Sequence, residues 1–162
     1  MIRLDLGCGT HKKEGFIGVD IAKIKGVDII GSVDYLPIKD NAVDEIHTHF
    51  LLEHSNDVLV SMKELYRVCK NGAKLTLSVP YYNSPDSFRD PTHRSFFTER
   101  SMEYFTDGND FGYYTNVRFA IENVEYGLTG TGKLIPPGLR LKVAHYVGNI
   151  VTRITWTLKA KK

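Results

Sequence analysis

Short apolar runs recur along the chain, and most have the length and alternation typical of β-strands. The runs cover residues 2–6, 16–20, 27–31, 43–50, 73–79, 117–126 and 154–158. Glycine, proline, asparagine and aspartate are frequent between them, as expected for turns. The pattern therefore predicts seven short strands.

A helical pattern separates the fourth and fifth runs. Ser55 is predicted to cap this helix, Asp57 lies in its first turn, and Asn71-Gly72 is predicted to end it. Two further helices are predicted over residues 98–107 and 139–150. Strands that alternate with helices indicate an α/β fold with a mostly parallel sheet.

Composition and charge favour an ordinary globular domain. The chain has 162 residues, of which 42% are hydrophobic and 25% charged, and this suits one domain over residues 1–162. A formal net charge of +2 does not favour a nucleic-acid partner. No apolar run approaches the ~18 residues of a membrane span. Two cysteines, without a signal-peptide pattern, predict reduced thiols in a cytoplasmic protein.

Two glycines and a carboxylate indicate a ligand site at the first two strands. Gly7 and Gly9 flank Cys8 directly after the first strand, where glycine permits a sharp turn and close approach to a ligand. Asp20 ends the second strand, and a carboxylate there can accept both hydroxyl hydrogens of a ribose. The same residues also fit a tight turn that Asp20 merely caps. Lys12 occupies the position of the third glycine of a dinucleotide motif, which disfavours a nicotinamide-dependent oxidoreductase.

The sequence around these residues resembles the class I S-adenosylmethionine-dependent methyltransferases, in particular their type 11-like branch. Leu4-Asp5-Leu6-Gly7-Cys8-Gly9-Thr10 is similar to their first motif, and Gly18-Val19-Asp20-Ile21 is similar to their second. Further similar segments follow in the family's order, at residues 32–37, 51–54 and 64–75. The resemblance implies a Rossmann-like three-layer fold, with a mostly parallel seven-stranded sheet and an antiparallel final strand. It also implies S-adenosyl-L-methionine as the cofactor.

The resemblance assigns cofactor-binding residues at the ends of the predicted strands. From the methionine end to the adenine they are Asp5, Gly7 and Gly9, then Asp20 and Ile21, then Asp34, Tyr35 and Leu36, with Phe50 at the approach to the sulfonium. It implies that Asp20 binds the ribose, while Asp34 and the backbone of the two residues after it contact the adenine. Read without the family, Asp34 is a turn residue and Phe50 a core aromatic.

The chain departs from the family at the first crossover, which is too short for the usual helix, since a parallel connection normally needs a dozen or more residues. We therefore expect reduced helix cover on one face of the sheet. The alternation of the strands fits this expectation, because Arg3, Glu45, His47 and Lys74 would share one polar face. That face is predicted to be solvated, or covered by the C-terminal segment, a second copy of the chain or a partner chain.

Two histidines are candidates for a general base in methyl transfer. His54 follows the fourth strand, and His93 lies in an aromatic and charged segment, residues 81–97. This segment is predicted either to cover an acceptor pocket or to be an ordinary surface loop. No metal is expected, because His47 and His49 share a strand face without a third ligand spaced to join them.

The sequence thus predicts a methyltransferase that acts on a small molecule or a sugar precursor. The alternative is a non-catalytic S-adenosylmethionine-binding or regulatory subunit that acts with a partner protein, which the short first crossover would suit.

Overall fold

Strands and short helices follow one another in the computed structural model, which describes residues 1–110 and 112–162. The strands are β1 (Arg3–Leu6), β2 (Ile17–Asp20), β3 (Ile29–Ile30), β4 (Val43–His49), β5 (Cys69–Pro80), β6 (Phe119–Leu128) and β7 (Val151–Ala160). The α-helices are α1 (Val58–Val68), α2 (Pro85–Arg89), α3 (Gly130–Leu134) and α4 (Arg140–Tyr146). Short 3₁₀ helices span Leu52–His54, Ser101–Phe105 and Pro137–Leu139. None of the helices in this described part is long and apolar enough to cross a membrane.

The described strands form a seven-stranded sheet with the order β3-β2-β1-β4-β5-β7-β6. Strands β1 to β5 pair in parallel, whereas β7 is antiparallel to both β5 and β6. The predicted mostly parallel sheet with an antiparallel final strand is confirmed. In such sheets the carboxyl ends of the parallel strands form the edge where ligands bind.

One face of the sheet carries the hydrophobic core. The strand register places Leu4, Ile46, Leu75 and Leu158 side by side on this face, and all four are buried. The buried side of α1 joins the same cluster. Full burial of an aliphatic side chain contributes roughly 1.5–3 kcal/mol, so this single face supplies much of the driving force for folding.

The opposite face is polar and thinly covered. Arg3, Glu45, Lys74 and Lys159 lie side by side in the register, so Glu45 sits between two cations as expected. Glu45 and His47 are half-buried, and the two lysines are exposed. The prediction of reduced helix cover is confirmed. The cover is reduced because the connections that follow β1, β2 and β3 contain no helix. These connections span residues 7–16, 21–28 and 31–42, all within the described part of the chain.

The first crossover is a loop that packs on the polar face of the sheet. The Phe16 ring meets the His47 ring edge-on, with 6.3 Å between the ring centroids. A Cβ on Gly18 would lie 2.7 Å from Lys12 Cδ, so only glycine lets the loop approach β2 this closely. Lys12 Nζ also lies 2.8 Å from Asp28 Oδ2. Lys12, which stands where a dinucleotide motif has its third glycine, therefore links this loop to the connection between β2 and β3.

The predicted limits of the first helix are wrong at both ends. Asp57, not Ser55, is the N-cap, and its carboxylate accepts the N–H groups of Leu59 and Val60 at 2.8 and 3.3 Å. The helix ends at Val68, because Cys69 turns to extended backbone while its N–H still bonds inside the helix. Asn71-Gly72 therefore lies within β5 and does not end the helix.

The later helices are shorter than predicted. The helix expected over residues 98–107 is the 3₁₀ helix Ser101–Phe105, and the one expected over 139–150 is reduced to the 3₁₀ helix Pro137–Leu139 and α4. Helix α3 was not predicted, since its sequence, GTGKL, contains two glycines.

Candidate active site

A cleft of about 330 Å³ lies at the carboxyl ends of β1 and β2. The structure brings seven of the predicted site residues to its walls: Gly7, Asp20, Ile21, Asp34, Leu36, Phe50 and His54. Gly7 has a φ of +66°, and a Cβ there would be 3.0 Å from a Leu51 side-chain atom. Glycine at this position is thus required both by the turn and by the packing. Asp5, Gly9, Tyr35 and His93 do not line this cleft.

Asp20 fastens the glycine turn to β2. Its Oδ2 accepts the Gly9 N–H at 2.9 Å, and its Oδ1 accepts the Ala22 N–H at 2.9 Å. Gly9 thus contributes a backbone donor to the turn. Asp20 therefore caps the turn, as its alternative interpretation predicted. These two bonds leave acceptor sites free, because a carboxylate offers about four. Asp20 can hold the turn and still accept ribose hydroxyl groups.

The Asp34 carboxylate is oriented by Ser61, a residue of α1. Ser61 Oγ donates to Asp34 Oδ1 at 2.5 Å. The Leu36 N–H donates to Glu64 Oε1 at 2.6 Å, and the Tyr35 N–H donates to a backbone carbonyl at 3.1 Å. Tyr35 itself is 78% exposed. The backbone N–H groups of Tyr35 and Leu36 thus bond within the protein, so the Asp34 carboxylate is the part of this segment that can accept a hydrogen bond from the adenine.

Asp5 lies on the polar face of the sheet, away from the cleft. Its Oδ1 is 2.8 Å from His47 Nδ1, and its Oδ2 accepts the Lys13 N–H at 2.8 Å. Burial opposes its ionisation, but the hydrogen bonds from His47 and the Lys13 N–H outweigh burial and hold the pKa of Asp5 below its ordinary value. Asp5 therefore holds the first crossover loop against the sheet through its bond to the Lys13 N–H.

Phe50 separates the cleft from a second cavity. It has a φ of +57°, which is unfavourable for an aromatic residue, and its N–H donates to the Ser78 carbonyl at 2.9 Å. Its side chain is 40% exposed, so it is not a core aromatic. Strained backbone held in place by its surroundings is typical of ligand sites.

The second cavity has a volume of about 530 Å³ and lies under the segment predicted to cover an acceptor. Its walls include Asp86, Arg89, Asp90, Pro91 and His93 from that segment, together with Pro80. Phe50 and His54 line both this cavity and the cleft. The two spaces are therefore adjacent and share a wall.

A cluster of Glu53, His54 and His93 lines the second cavity. One possible ligand atom of each lies within 4.8 Å of the others, so the cluster has the composition of a metal site. Glu53 is only 1% exposed, and burial raises its pKa to about 7. Glu53 is not among the residues predicted from the sequence. Its position beside His54 was the available signal, whereas its burial comes from tertiary packing.

The sheet order, with the antiparallel β7 between β5 and β6, and the cleft over the glycine turn are those of the class I S-adenosylmethionine-dependent methyltransferase fold. The cleft fits this cofactor: it offers a glycine turn, the carboxylates of Asp20 and Asp34, and apolar surface from Ile21 and Leu36. Residues 4–77 match the family model described as "Methyltransferase domain". This segment carries the glycine turn, Asp20 and Asp34, and the chain has the fold and cofactor cleft of an S-adenosylmethionine-dependent methyltransferase domain.

Solved structures similar to this chain include several of that class. A S-adenosylmethionine-dependent methyltransferase from Archaeoglobus fulgidus has a TM-score of 0.67 at 17% identity, over 97% of this chain and 85% of that one. One from Mesorhizobium loti has a TM-score of 0.62 at 14% identity, over 98% and 90%. A protein of Haloferax volcanii, solved in complex with the Trm112 methyltransferase activator, has a TM-score of 0.61 at 12% identity, over 99% and 83%. A search of curated protein sequences gives no match.

Proposed function

We propose that this chain methylates a small polar molecule, such as a sugar precursor, held in the second cavity. The observation that carries the proposal is the wall shared by the two spaces. Phe50 and His54 line both, so a ligand in the second cavity lies next to a cofactor in the cleft. Holding two reactants in the right geometry can lower the barrier of such a reaction by about 7–11 kcal/mol.

Each residue of the cleft would contact a different part of the cofactor. When bound, S-adenosylmethionine supplies an electrophilic methyl group on a sulfonium. Asp20 would accept the ribose hydroxyl groups, and Asp34 would accept a hydrogen bond from the adenine amino group. Gly7 leaves room for the methionine end beside β1, and Ile21 offers an exposed apolar surface at the rim.

Charged side chains of both signs lie in the wall of the acceptor cavity, although most of its surface is apolar. Asp86, Arg89 and Asp90 can bind hydroxyl groups, which supports an acceptor that carries them beside its carbon skeleton. His54 and His93 lie in its wall, so the Nε2 atom of either could take up a proton from an acceptor hydroxyl. The balanced charge of the chain gives no support to a nucleic-acid acceptor.

Calorimetric titration with S-adenosylhomocysteine tests the cofactor half of the proposal. We expect binding by the unaltered chain, no binding of NAD, and affinity at least tenfold weaker for Asp20→Asn, about 1.4 kcal/mol. Asp110→Ala, outside the cleft, is the matched control and should bind normally. Circular dichroism checks that the variants fold. Equal affinity of Asp20→Asn and the unaltered chain would contradict the assigned role of Asp20.

The uncovered polar face gives specific support to the alternative, a subunit that works with another chain. Lys74 and Lys159 are exposed there, and the similar Haloferax volcanii protein was solved with an activator. The alternative predicts that the purified chain binds S-adenosylhomocysteine but produces none from S-adenosylmethionine with any panel of polar acceptors. Light scattering would show whether the covering chain is a second copy of this protein. Turnover by a monomer would exclude the alternative.

A further inference from the structure

We propose that Glu53, His54 and His93 form a binding site for a divalent transition-metal ion, of which Zn²⁺ is the best match, beside the cofactor cleft. Two imidazoles and one carboxylate are a donor set that zinc and related first-row ions bind in proteins, with further positions left open.

The spacing of the three donors suits one shared ion. Their ligand atoms lie within 4.8 Å of one another. Ligands at roughly 2.0–2.2 Å from a tetrahedral zinc are about 3.4 Å apart, so small side-chain rotations would close the site. The two imidazole rings already meet edge-on, with 4.7 Å between centroids.

Hydrogen bonds orient both histidines with one ring nitrogen free. His93 Nδ1 lies 2.9 Å from the Ser87 carbonyl, which can only accept, so Nδ1 carries the hydrogen. His54 Nδ1 lies 2.9 Å from Thr92 Oγ1, whose own hydrogen is donated to Asp90 Oδ1 at 2.7 Å. Thr92 must therefore accept from His54. Both rings keep an Nε2 lone pair, and partners of this kind are what hold metal-binding histidines in place.

Glu53 supplies a second, independent observation. Its side chain is almost wholly buried, and neither carboxylate oxygen has a hydrogen-bond partner among residues 1–110 and 112–162. Burying an unpaired carboxylate is costly, and such groups are usually paired or coordinate a metal. The Glu53 carbonyl accepts the Arg94 N–H at 2.7 Å, which ties the segment carrying His93 to this position. A cation would therefore neutralise a charge that the fold already holds in place.

The ion would lie at the wall between cofactor and acceptor. Glu53, His54 and His93 all line the second cavity, and a site with three protein ligands keeps positions for outside ligands. An oxygen of the acceptor could then be held next to Phe50. This task rests on the proposed function and takes the place of proton uptake by His54 or His93, because a metal-bound Nε2 has no free lone pair. Metal binding itself does not depend on that function.

Titration of the chelator-stripped full chain with ZnCl₂, followed by calorimetry, tests the site, and Co²⁺ ligand-field absorption reports on its donors. We expect one ion per chain, with binding at least tenfold weaker in Glu53→Gln and in His93→Ala. His145→Ala is the matched control, because this histidine is paired with Glu99 and lies outside the cavity. Circular dichroism of the metal-free variants separates loss of a ligand from loss of fold.

The absence of saturable binding, or equal binding by the unaltered chain and both ligand variants, would overturn the proposal. Equal binding would place the ion elsewhere, for example at His47 and His49. A parallel titration with S-adenosylhomocysteine keeps the two proposals apart. Zinc binding without cofactor binding would support the metal site and contradict the proposed methyl transfer. Cofactor binding without zinc binding would contradict the metal site and support the cofactor half of the proposed function.

Discussion

Replacing Glu53 by glutamine should stabilise the metal-free protein at alkaline pH. Glutamine is nearly the same size, carries no charge and cannot ionise. The carboxyl of Glu53 is buried and has no hydrogen-bond partner in the described chain, so its ionised form is poorly accommodated. Among its charged neighbours, His93 favours ionisation and Asp90 opposes it, but burial dominates both.

The size and sign of the effect follow from linkage. The pKa of Glu53 rises from 4.5 when free to about 7 in the folded chain, a difference that corresponds to about 3 kcal/mol. Because the folded state holds the proton more tightly, the stability this proton provides is complete below about pH 4.5 and is lost as the pH rises through about 7. At about pH 8 the Glu53→Gln variant escapes that loss, and at about pH 5 the difference should fall below about 1 kcal/mol.

Urea unfolding in the presence of a chelator, followed by circular dichroism, measures the difference. With a slope of about 1–3 kcal/mol per molar urea, the midpoint of Glu53→Gln should exceed that of the unaltered chain by about 1–3 M at about pH 8. Glu103→Gln, which removes an exposed carboxylate, should show no such pH-dependent gain. Equal midpoints at both pH values would mean that Glu53 is compensated, and would refute the reasoning. Without the chelator, added Zn²⁺ should stabilise the unaltered chain and Glu103→Gln more than Glu53→Gln.

Three further outcomes are expected. Arg67→Lys should lower the free energy of unfolding by about 1–2 kcal/mol, measured in urea, because its guanidinium binds Glu64 at 2.7 Å through two nitrogens; unchanged stability would make this pair dispensable. Cys8 and Cys69 should not react with a thiol reagent until the chain unfolds, since both are buried and burial raises the pKa of Cys69 to about 12; rapid labelling of the native chain would contradict this. Phe50→Gly should relieve its positive φ and keep thermal stability, but weaken binding of S-adenosylhomocysteine in calorimetry; a large fall in melting temperature would show that the ring supports the fold.

The strands could be predicted from the sequence because the signal is local. Apolar residues such as Leu4 and Leu6 alternate with polar ones, and the short first crossover leaves no room for a helix. Helix ends were predicted less well, because Ser55 and Asp57 are both good caps and only the chain path decides between them. The polar face followed from the same alternation once the strand order was assumed.

The site divides in the same way. Residues fixed by the glycine turn and the strand ends, such as Gly7 and Asp20, line the cleft as their motif implies. Asp5 does not, and the alternation that puts Leu4 and Leu6 in the core already placed its side chain on the opposite face. Glu53 could not be found by pattern, because its burial depends on a backbone contact with a segment some forty residues further along the chain.

Three aspartates hold the backbone around the cleft in place, where a helix after β1 would otherwise do so. Without a helix after β1, no helical N-terminus fixes the glycine turn. Instead, Asp5 accepts the Lys13 N–H, Asp20 accepts the Gly9 N–H and Asp28 accepts the Gly18 N–H, at 2.7–2.9 Å. Charge-assisted bonds of this kind are about twice as strong as neutral ones. Under the proposed cofactor role the same carboxylate of Asp20 both holds the turn and binds the ribose, so its replacement should loosen the loop and remove a ligand contact together.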